Sequence, residues 1–249
     1  MTALVRSELL KIRTTRGWWA YLSLIVGITG IAVAGEVGTA SDEERSAADF
    51  LVDLVEIVSV SSFVALILGI TIVTSEFRHG TSTPTFLAAP HRELVIVAKA
   101  LAATVVAIGF VVLSLLIVAA VALPWLAIVD ATTSLGDGEL ATRAASHALA
   151  IVLSALIGIA IGTAVHSQVA ALVGTLVWIF VVENLLWGLF ALLGVDSAVQ
   201  YLPFRALDAT DGSGGELMLA QGLGIAVSLG WILLIGAAGI WRTRRRDIT

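Results

Sequence analysis

The side chains that could do chemistry are few in this sequence, and most of them stand alone. The four histidines, His79, His91, His147 and His166, show no H-x-x-x-H spacing and have no clustered carboxylates beside them. There is no cysteine, so the sequence offers neither a thiolate metal site nor a disulfide framework. These patterns favour loop or helix-end roles for the histidines, and they predict no metal site.

A phosphate-binding loop of the G-x-x-x-x-G-K-[ST] type is also missing. The chain has two lysines, Lys11 and Lys99, and neither follows such a glycine. We therefore expect that the chain is not itself an enzyme and that it binds no cofactor.

One carboxylate, Glu183, is unusual because it lies near the middle of an apolar run. A charged carboxylate at the centre of a bilayer costs at least about 2.5–3.5 kcal/mol on insertion scales. Glu183 must therefore be protonated, paired or close to water. Two roles fit equally well: with its neighbour Asn184 it could line a translocation path, or it could hydrogen-bond a serine or threonine of another span, such as Ser154 or Ser228.

A second polar segment, EFRHGTSTPTFLAAPHR at residues 76–92, interrupts two long apolar runs. Gly80 permits a sharp chain reversal, and Thr83 followed by Pro84 fits an N-cap and a first helical position. The stretch PTFLAA can then form barely two turns before Pro90 ends or redirects it. The next helix is expected to start at Pro90 or His91 and to continue into the following apolar run.

This short helix is expected to present Phe86 and Leu87 as exposed apolar side chains. An exposed apolar pair on a connector is costly unless something covers it. Either a partner protein covers the pair, or the two side chains sink into the lipid interface.

The elements that position these residues are long apolar helices. The chain is 58% hydrophobic and only 13% charged, whereas soluble domains carry about 25% charged residues. About 20 apolar helical residues cross a bilayer core, and barrel strands would be shorter and alternate in polarity. We predict an all-α membrane protein with six spans, at Trp18–Ala34, Leu51–Thr74, Ala100–Val121, Ala148–Val165, Val169–Leu193 and Leu217–Trp241.

The basic residues predict which side each connection faces. If the spans alternate, most of the 14 lysines and arginines lie with the two termini and the loop after the second span. Only Arg45, Arg143 and Arg205 fall on the opposite side. By the positive-inside rule, both termini are expected to be cytoplasmic in a multi-pass plasma-membrane protein. The opposite loops are acidic and predicted to be solvated, although residues 201–204 (YLPF) could pack or dip into the interface.

The segment before the first span has an amphipathic pattern. Its apolar residues fall close to one helical face, and its basic residues point elsewhere; the apolar ones are Leu4, Val5, Leu9 and Ile12. This favours a helix in the headgroup plane, although a simple basic anchor explains the charges equally well. A cleaved signal peptide ending at AVA (32–34) is the competing interpretation, but the apolar run of about 17 residues exceeds the usual length.

The chain is therefore expected to be one transmembrane domain. Residues 1–16 form the interfacial helix, residues 17–241 the six-span bundle and residues 242–249 a basic cytoplasmic tail. Within the fourth span, Gly158 and Gly162 have the G-x-x-x-G spacing that permits close helix contact. This contact is expected within one subunit rather than at a dimer seam.

Three stretches carry specific residues: SELLKIRTTRGWW before the first span, EFRHGTSTPTFLAAPHRELVIVAK after the second and WIFVVENLL in the fifth. Together they resemble the membrane subunits of type-2 ABC exporters, the ABC-2 permease family. Family members resemble E-x-R-x-G-T, then L-x-x-P-x-R, then a lysine at the start of the third span. The matching residues are Glu76, Arg78, Gly80, Thr81, Leu87, Pro90, Arg92 and Lys99. A glutamate is common in the family's fifth span, but Asn184 stands where a proline is frequent.

The resemblance implies a coupling helix at residues 76–90 that docks onto a separate ATP-binding subunit. The residues implied in coupling are Glu76, Arg78, Gly80, Thr81, Phe86, Leu87, Pro90 and Arg92. Two ATP-binding subunits would carry the ATP and Mg, and a second permease subunit, identical or a sibling, would complete the path. The resemblance further implies export of a drug, peptide antibiotic, lipid-like compound or ion, without any role for nucleic acid.

Two other functions remain open at this point. One is an ATP-independent secondary transporter or channel, although no repeated span motif suggests inverted halves and ionisable residues within the spans are sparse. The other is a membrane anchor subunit that transports nothing.

Overall fold

The computed structural model describes residues 1–47, 49–78, 92–129, 138–212 and 218–245, and within them the chain is helical without any β-strand. In chain order, helices α1 to α11 are Thr2–Thr14, Gly17–Thr39, Asp42–Arg45, Phe50–Glu56, Val60–Arg78, Arg92–Ile128, Glu139–Ala164, Gln168–Val177, Glu183–Leu192, Pro203–Asp208 and Gln221–Arg245. The 3-10 turns are Ile57–Ser59, Asp196–Tyr201 and Ala209–Asp211, and residues Trp178–Val182 form a π-helical turn.

Among the described residues, six helical stretches are long and apolar enough to cross a membrane. These spans, numbered 1 to 6, are Gly17–Thr39, Phe50–Arg78, Glu93–Ile128, Glu139–Ala164, Gln168–Leu192 and Gln221–Arg242. They confirm the six predicted spans. Most are longer than predicted because the helices continue past their apolar runs into polar residues, as span 4 does by starting at Glu139 rather than near Ala148.

Spans 2 and 4 form the centre of the molecule. More than half of the apolar stretch of each is buried, 61% and 56%, against 17% to 22% for spans 1, 5 and 6. The two helices touch through their backbones, because a side chain on Gly69 would collide with the Ala155 oxygen and one on Gly158 with the Leu66 oxygen. The expectation that Gly158 packs within one subunit is therefore confirmed.

Helix α1 lies against the protein rather than apart from it. Ile12 belongs to the main apolar core, and Val5 and Leu9 pack against the same core. The predicted apolar stripe thus exists, but the surface that it covers is the start of span 3.

The connection between spans 5 and 6 folds back into the molecule, and we call its residues 193–212 the re-entrant segment. Helix α10 (Pro203–Asp208) starts with proline at its first position, where the missing N–H is tolerated. Its residues Phe204 and Leu207 are buried in a core with spans 2, 4 and 5. Trp231 of span 6 donates from Nε1 to the Tyr201 carbonyl oxygen at 2.9 Å. The expectation that residues 201–204 pack is confirmed, and this acidic connection is not simply solvated.

Candidate functional site

Four charged side chains meet where α1, span 2 and span 3 converge. Glu8 and Lys11 come from α1, three residues apart and therefore on one face. Glu76 belongs to the last turn of span 2, and Lys99 lies about two turns into span 3. We call these four residues the charge cluster, and it contains both lysines of the chain.

Each lysine of the charge cluster binds both glutamates. Lys99 Nζ lies 2.7 Å from Glu8 Oε2 and 2.8 Å from Glu76 Oε1. Lys11 Nζ lies 2.6 Å from Glu8 Oε1 and 2.8 Å from Glu76 Oε1. Every charge therefore has two opposite neighbours, which offsets the several kcal/mol that desolvation of each ion costs.

The charge cluster is closed at Lys99 and more open at Lys11. The side chain of Lys99 is 4% exposed, whereas that of Lys11 is 46% exposed. Burial alone would raise the pKa of Glu8, but the ammonium groups of Lys99 and Lys11 outweigh it and the pKa is lowered. Burial would likewise lower the pKa of Lys11, but hydrogen bonds to Glu76 and Glu8 raise it. Glu8 and Lys11 are therefore both charged near neutral pH.

The charge cluster stands at the base of residues 79–91. Glu76 precedes this segment and Lys99 follows it, so their ion pair ties together the two helices that lead into and out of it. Of the predicted coupling residues, Gly80, Thr81, Phe86, Leu87 and Pro90 lie outside the described residues, as does the short helix predicted there. Arg92 is the first residue of α6, close to the predicted helix start at Pro90 or His91.

The last turn of span 2 also touches the connection between spans 4 and 5. Arg78 donates from Nη1 to Gln168 Oε1 at 3.2 Å, and the Phe77 ring meets the His166 ring edge-on at 4.4 Å between centroids. A cavity of about 320 Å³ lies beside these residues, and the charge cluster residues Glu8, Lys11 and Glu76 line it. The end of span 2 therefore contacts α1, span 3 and span 5 together.

Span 5 changes its winding just before Glu183. Its π-helical turn, Trp178–Val182, is of a kind often found at functional sites. The wider turn brings Trp178 and Glu183 to the same face, and Trp178 Nε1 donates to Glu183 Oε1 at 3.1 Å. The side-chain amide of Asn184 donates to the carbonyl oxygens of Ile179 and Phe180, each at 3.2 Å.

Glu183 binds α10 rather than a serine. Its Oε1 accepts a hydrogen bond from the backbone N–H of Phe204 at 2.9 Å, so the carboxyl group satisfies a free N–H in the first turn of α10. Ser154 donates instead to Ala150 of its own helix, and Ser228 has no hydrogen-bond partner in the described part of the chain. The serine partners predicted for Glu183 are therefore not the ones it uses.

Glu183 and Asn184 together hold the first turn of α10. Arg205 donates from Nη2 to Asn184 Oδ1 at 3.2 Å. Glu183 lies nine residues before Leu192, the end of span 5, which corresponds to about 14 Å along a helix. The re-entrant segment therefore returns deep alongside span 5, where irregular backbone requires burial in protein or contact with a water-filled cavity.

A cavity of about 520 Å³ lies between spans 2, 4 and 5 and the re-entrant segment, and we call it the acidic cavity. Its polar lining includes three carboxylates, one guanidinium, one amide and three serines, from Glu183, Asp208, Asp211, Arg205, Asn184, Ser59, Ser62 and Ser154. Aromatic and aliphatic side chains form the rest, among them Phe63, Leu66, Ile179 and Phe180. The predicted path residues Glu183 and Asn184 thus border the same space.

Asp208, the last residue of α10, projects into the acidic cavity. Although Asp208 is exposed in the single chain, desolvation by the protein atoms around it, together with the negative charges of Asp211 and Glu183, raises its pKa to about 6, and Arg205 opposes the shift. Near neutral pH it is therefore an ionised group that gains from a nearby positive charge.

Sequence reasoning missed the charge cluster and the acidic cavity. Glu8 carried one available signal, because it shares a helical face with the apolar stripe that the structure buries. Lys11 was expected to point away from that stripe, but it binds Glu8 and Glu76. Asp208 and Asp211 were assigned to a solvated connector, yet Leu202 followed by Pro203 is a helix-start signal within it.

Comparison with known proteins leaves the activity open. A family model described as "Protein of unknown function (DUF2705)" matches residues 22–249. No curated protein matches the chain.

Proposed function

The chain belongs to the DUF2705 family, and we propose that it is the permease subunit of a type-2 ABC exporter. In this proposal it forms the membrane path for ATP-driven export, while a separate subunit hydrolyses the ATP. The orientation follows the positive-inside rule, with both termini and residues 79–91 in the cytoplasm of a cell whose plasma membrane holds the six spans.

The observation that carries the proposal is the charge cluster at the base of residues 79–91. A connector that receives force from another protein must pass that force to the spans instead of flexing by itself. The Glu76–Lys99 ion pair and the two lysine contacts of Glu8 join α1, span 2 and span 3 at this point. A push on the connector would therefore move three helices together.

The residues that carry the family resemblance support the same interpretation. Glu76 and Lys99 are the first and last positions of the motif that resembles ABC-2 permeases, and they form an ion pair at 2.8 Å. The remaining coupling residues stay a prediction, with Phe86 and Leu87 as the side chains expected to dock onto the ATP-binding subunit.

The acidic cavity supports the transport half of the proposal. Its 520 Å³ lie within the range of small-molecule sites, and it borders the polar pair Glu183 and Asn184 in span 5. Asn184 and Asp208 are exposed in the single chain, and polar groups at membrane depth normally face water or other protein. A second permease subunit facing this opening would complete the path, and two ATP-binding subunits would carry ATP and Mg.

The test is co-purification from native membranes. A tagged chain extracted with mild detergent is expected to retain an ATP-binding chain at a one-to-one ratio, as measured by quantitative mass spectrometry. The double variant Phe86→Asp/Leu87→Asp is expected to lose that chain while its own yield stays normal. Leu10→Asp is the matched control, since Leu10 is an exposed apolar residue of α1. Retention of the ATP-binding chain by the double variant would contradict the docking residues, and its absence from every preparation would contradict the function.

A second candidate, an ATP-independent transporter, is favoured by one observation. Glu183, Asp208 and Asp211 border one cavity, so this site holds more ionisable side chains than the spans alone suggested. The same preparations separate the two candidates, because only this second one predicts gradient-driven transport by the purified chain in vesicles without an ATP-binding partner.

A further inference from the structure

We propose that a groove between spans 5 and 6 holds one acyl chain of an anionic phospholipid whose headgroup lies at Arg242. The groove has a volume of about 230 Å³, and we call it the lipid groove. Spans 4, 5 and 6 line it with residues that include Ile157, Ile161, Gly174, Trp178, Trp231 and Ile235. The proposal concerns how the chain meets its membrane and is independent of what the chain transports.

The lipid groove exists because span 6 packs mainly on span 4 and α10 instead of on span 5. Ile157 and Ile161 of span 4 lie between the two outer spans, and Ile157 is fully buried. Gly174 of span 5 adds no side chain, and a Cβ atom placed on it would meet nothing within 4 Å. The groove is therefore a recess in a surface that faces the bilayer.

The side-chain N–H and O–H groups along the lipid groove are already bonded to protein. Trp178 Nε1 donates to Glu183 and Trp231 Nε1 to the Tyr201 carbonyl oxygen. The hydroxyl of Thr175 donates to a carbonyl oxygen of its own helix at 2.7 Å. A water molecule in such a space needs two to four polar partners. The lipid groove offers none of these, so an apolar occupant fits it better than water.

The size of the lipid groove suits a single acyl chain. Pockets for drug-sized ligands measure about 300–1,000 Å³, and a helix of a second protein is about 10–12 Å wide. A helix would therefore cover the opening and leave the recess empty. The groove extends along span 5 from Ala170 to Trp178, which is about 12 Å of helix. At its deep end it is bordered by Pro203 and Phe204 of the re-entrant segment.

A cationic side chain lies at the other end of the lipid groove. Arg242, the last residue of span 6, donates from Nη1 to the Ala164 carbonyl oxygen at 2.8 Å. Ala164 adjoins Val165, which lines the groove. Arg242 is exposed, and a guanidinium group has five N–H donors. The bond to Ala164 therefore leaves donors that can bind a phosphate, often as a bidentate pair.

The same helix face carries the apolar wall and the cation. Arg242 follows Ile235 by two helical turns, so the two side chains lie one above the other along span 6. A phospholipid has the same order of parts, with its phosphate at the membrane surface and its acyl chain below. In the orientation proposed above, this end of span 6 is cytoplasmic, and the lipid belongs to the inner leaflet.

The experiment counts the lipids that the chain retains when nanodiscs release it in a native mass spectrometer. The nanodiscs contain equal parts of phosphatidylglycerol and phosphatidylcholine with identical acyl chains. We expect one tightly retained lipid per chain. Phosphatidylglycerol should be retained about fivefold more often than phosphatidylcholine, because a basic residue at the membrane surface attracts anionic lipid to about this extent.

Two substitutions test the two halves of the site. Gly174→Leu places a side chain in the open space of the groove, so we expect the retained lipid to be lost. Gly188→Leu is the matched control, because Gly188 is an equally open, exposed glycine of span 5 outside the groove. Arg242→Gln should keep a lipid but lose the preference for phosphatidylglycerol, and Arg242→Lys should keep both. Arg13→Gln, at an exposed arginine of α1, should change nothing.

Retention of the lipid by Gly174→Leu would overturn the proposal, as would an unchanged preference for phosphatidylglycerol in Arg242→Gln. If Gly174→Leu leaves the lipid in place and lowers the proportion of dimers, a second copy of the chain covers the groove and the proposal is wrong. These results do not require an ATP-binding partner, because the nanodiscs hold this chain alone. The lipid site and the exporter assignment can therefore fail separately.

Discussion

At the scale of residues, the charge cluster is the most unusual feature, because three of its four charged residues are buried. Glu8, Lys11, Glu76 and Lys99 balance one another in sign, with two bonds to each. Such a cluster is weak evidence for stability by itself, because apolar replacements of equal volume are often as stable. Its significance lies in its geometry, since it joins three helices at the base of the connector proposed to receive force.

Removal of one lysine should show how much the charge cluster contributes to the free energy of unfolding. Lys99→Met leaves Glu8 and Glu76 buried with only Lys11 to share, so we expect a loss of about 3 kcal/mol in the free energy of unfolding. Lys11→Met should lose clearly less, because that side chain is 46% exposed. Thermal unfolding in detergent, followed by circular dichroism, measures both.

A control with all four charges removed separates pairing from packing. Glu8→Gln, Lys11→Met, Glu76→Gln and Lys99→Met combined leave no unpaired ion, so the melting temperature should recover toward that of the unchanged protein. Unchanged melting in Lys99→Met alone would contradict the role assigned to the charge cluster.

At the scale of elements, span 5 and α10 are joined by hydrogen bonds. A backbone N–H and a side chain of α10 donate to two side chains of span 5. The π-helical turn of span 5 sets Glu183 and Asn184 so that both reach the first turn of α10. The burial of Glu183 is thereby explained without a serine on another span. The re-entrant segment in turn places Asp208 and Asp211 at the acidic cavity.

Substitution of Glu183 tests this contact between elements. Glu183→Gln keeps a side-chain oxygen for the Phe204 N–H, so we expect the re-entrant segment to stay in place. Glu183→Ala leaves that buried N–H without a partner, at a cost of about 1–3 kcal/mol. Hydrogen exchange across Asp196–Asp211, measured by mass spectrometry, should be faster in the alanine variant alone. Equal exchange in all three proteins would show that Glu183 does not hold the segment.

At the scale of the whole molecule, a closely packed pair of central helices connects the proposed coupling site to the acidic cavity. Spans 2 and 4 are in backbone contact through Gly69 and Gly158. Span 2 reaches the charge cluster at Glu76 and borders the acidic cavity at Phe63 and Leu66. The same helix therefore links the proposed coupling site to the proposed path.

The spans could be predicted from the sequence because run length and hydropathy are properties of consecutive residues. The bonds between residues that are distant in the sequence could not be predicted in this way. Glu8 and Lys99 lie 91 positions apart, and their pairing depends on how α1 docks on span 3. Glu183 could be recognised as costly, and residues 201–204 could be expected to pack or dip into the interface. The bond between Glu183 and the Phe204 N–H could not be predicted, because it depends on how the re-entrant segment returns to span 5.

The most direct test of the central claim uses the absence of cysteine from the chain. Phe86→Cys then provides a unique thiol, and a thiol–amine crosslinker is applied to native membranes, with Arg13→Cys on α1 as the control. The account predicts that residue 86 crosslinks to a chain carrying a phosphate-binding loop, with a yield that changes on addition of ATP, and that residue 13 does so far less. Crosslinking of residue 86 to no such chain, in membranes where the protein is active, would contradict it.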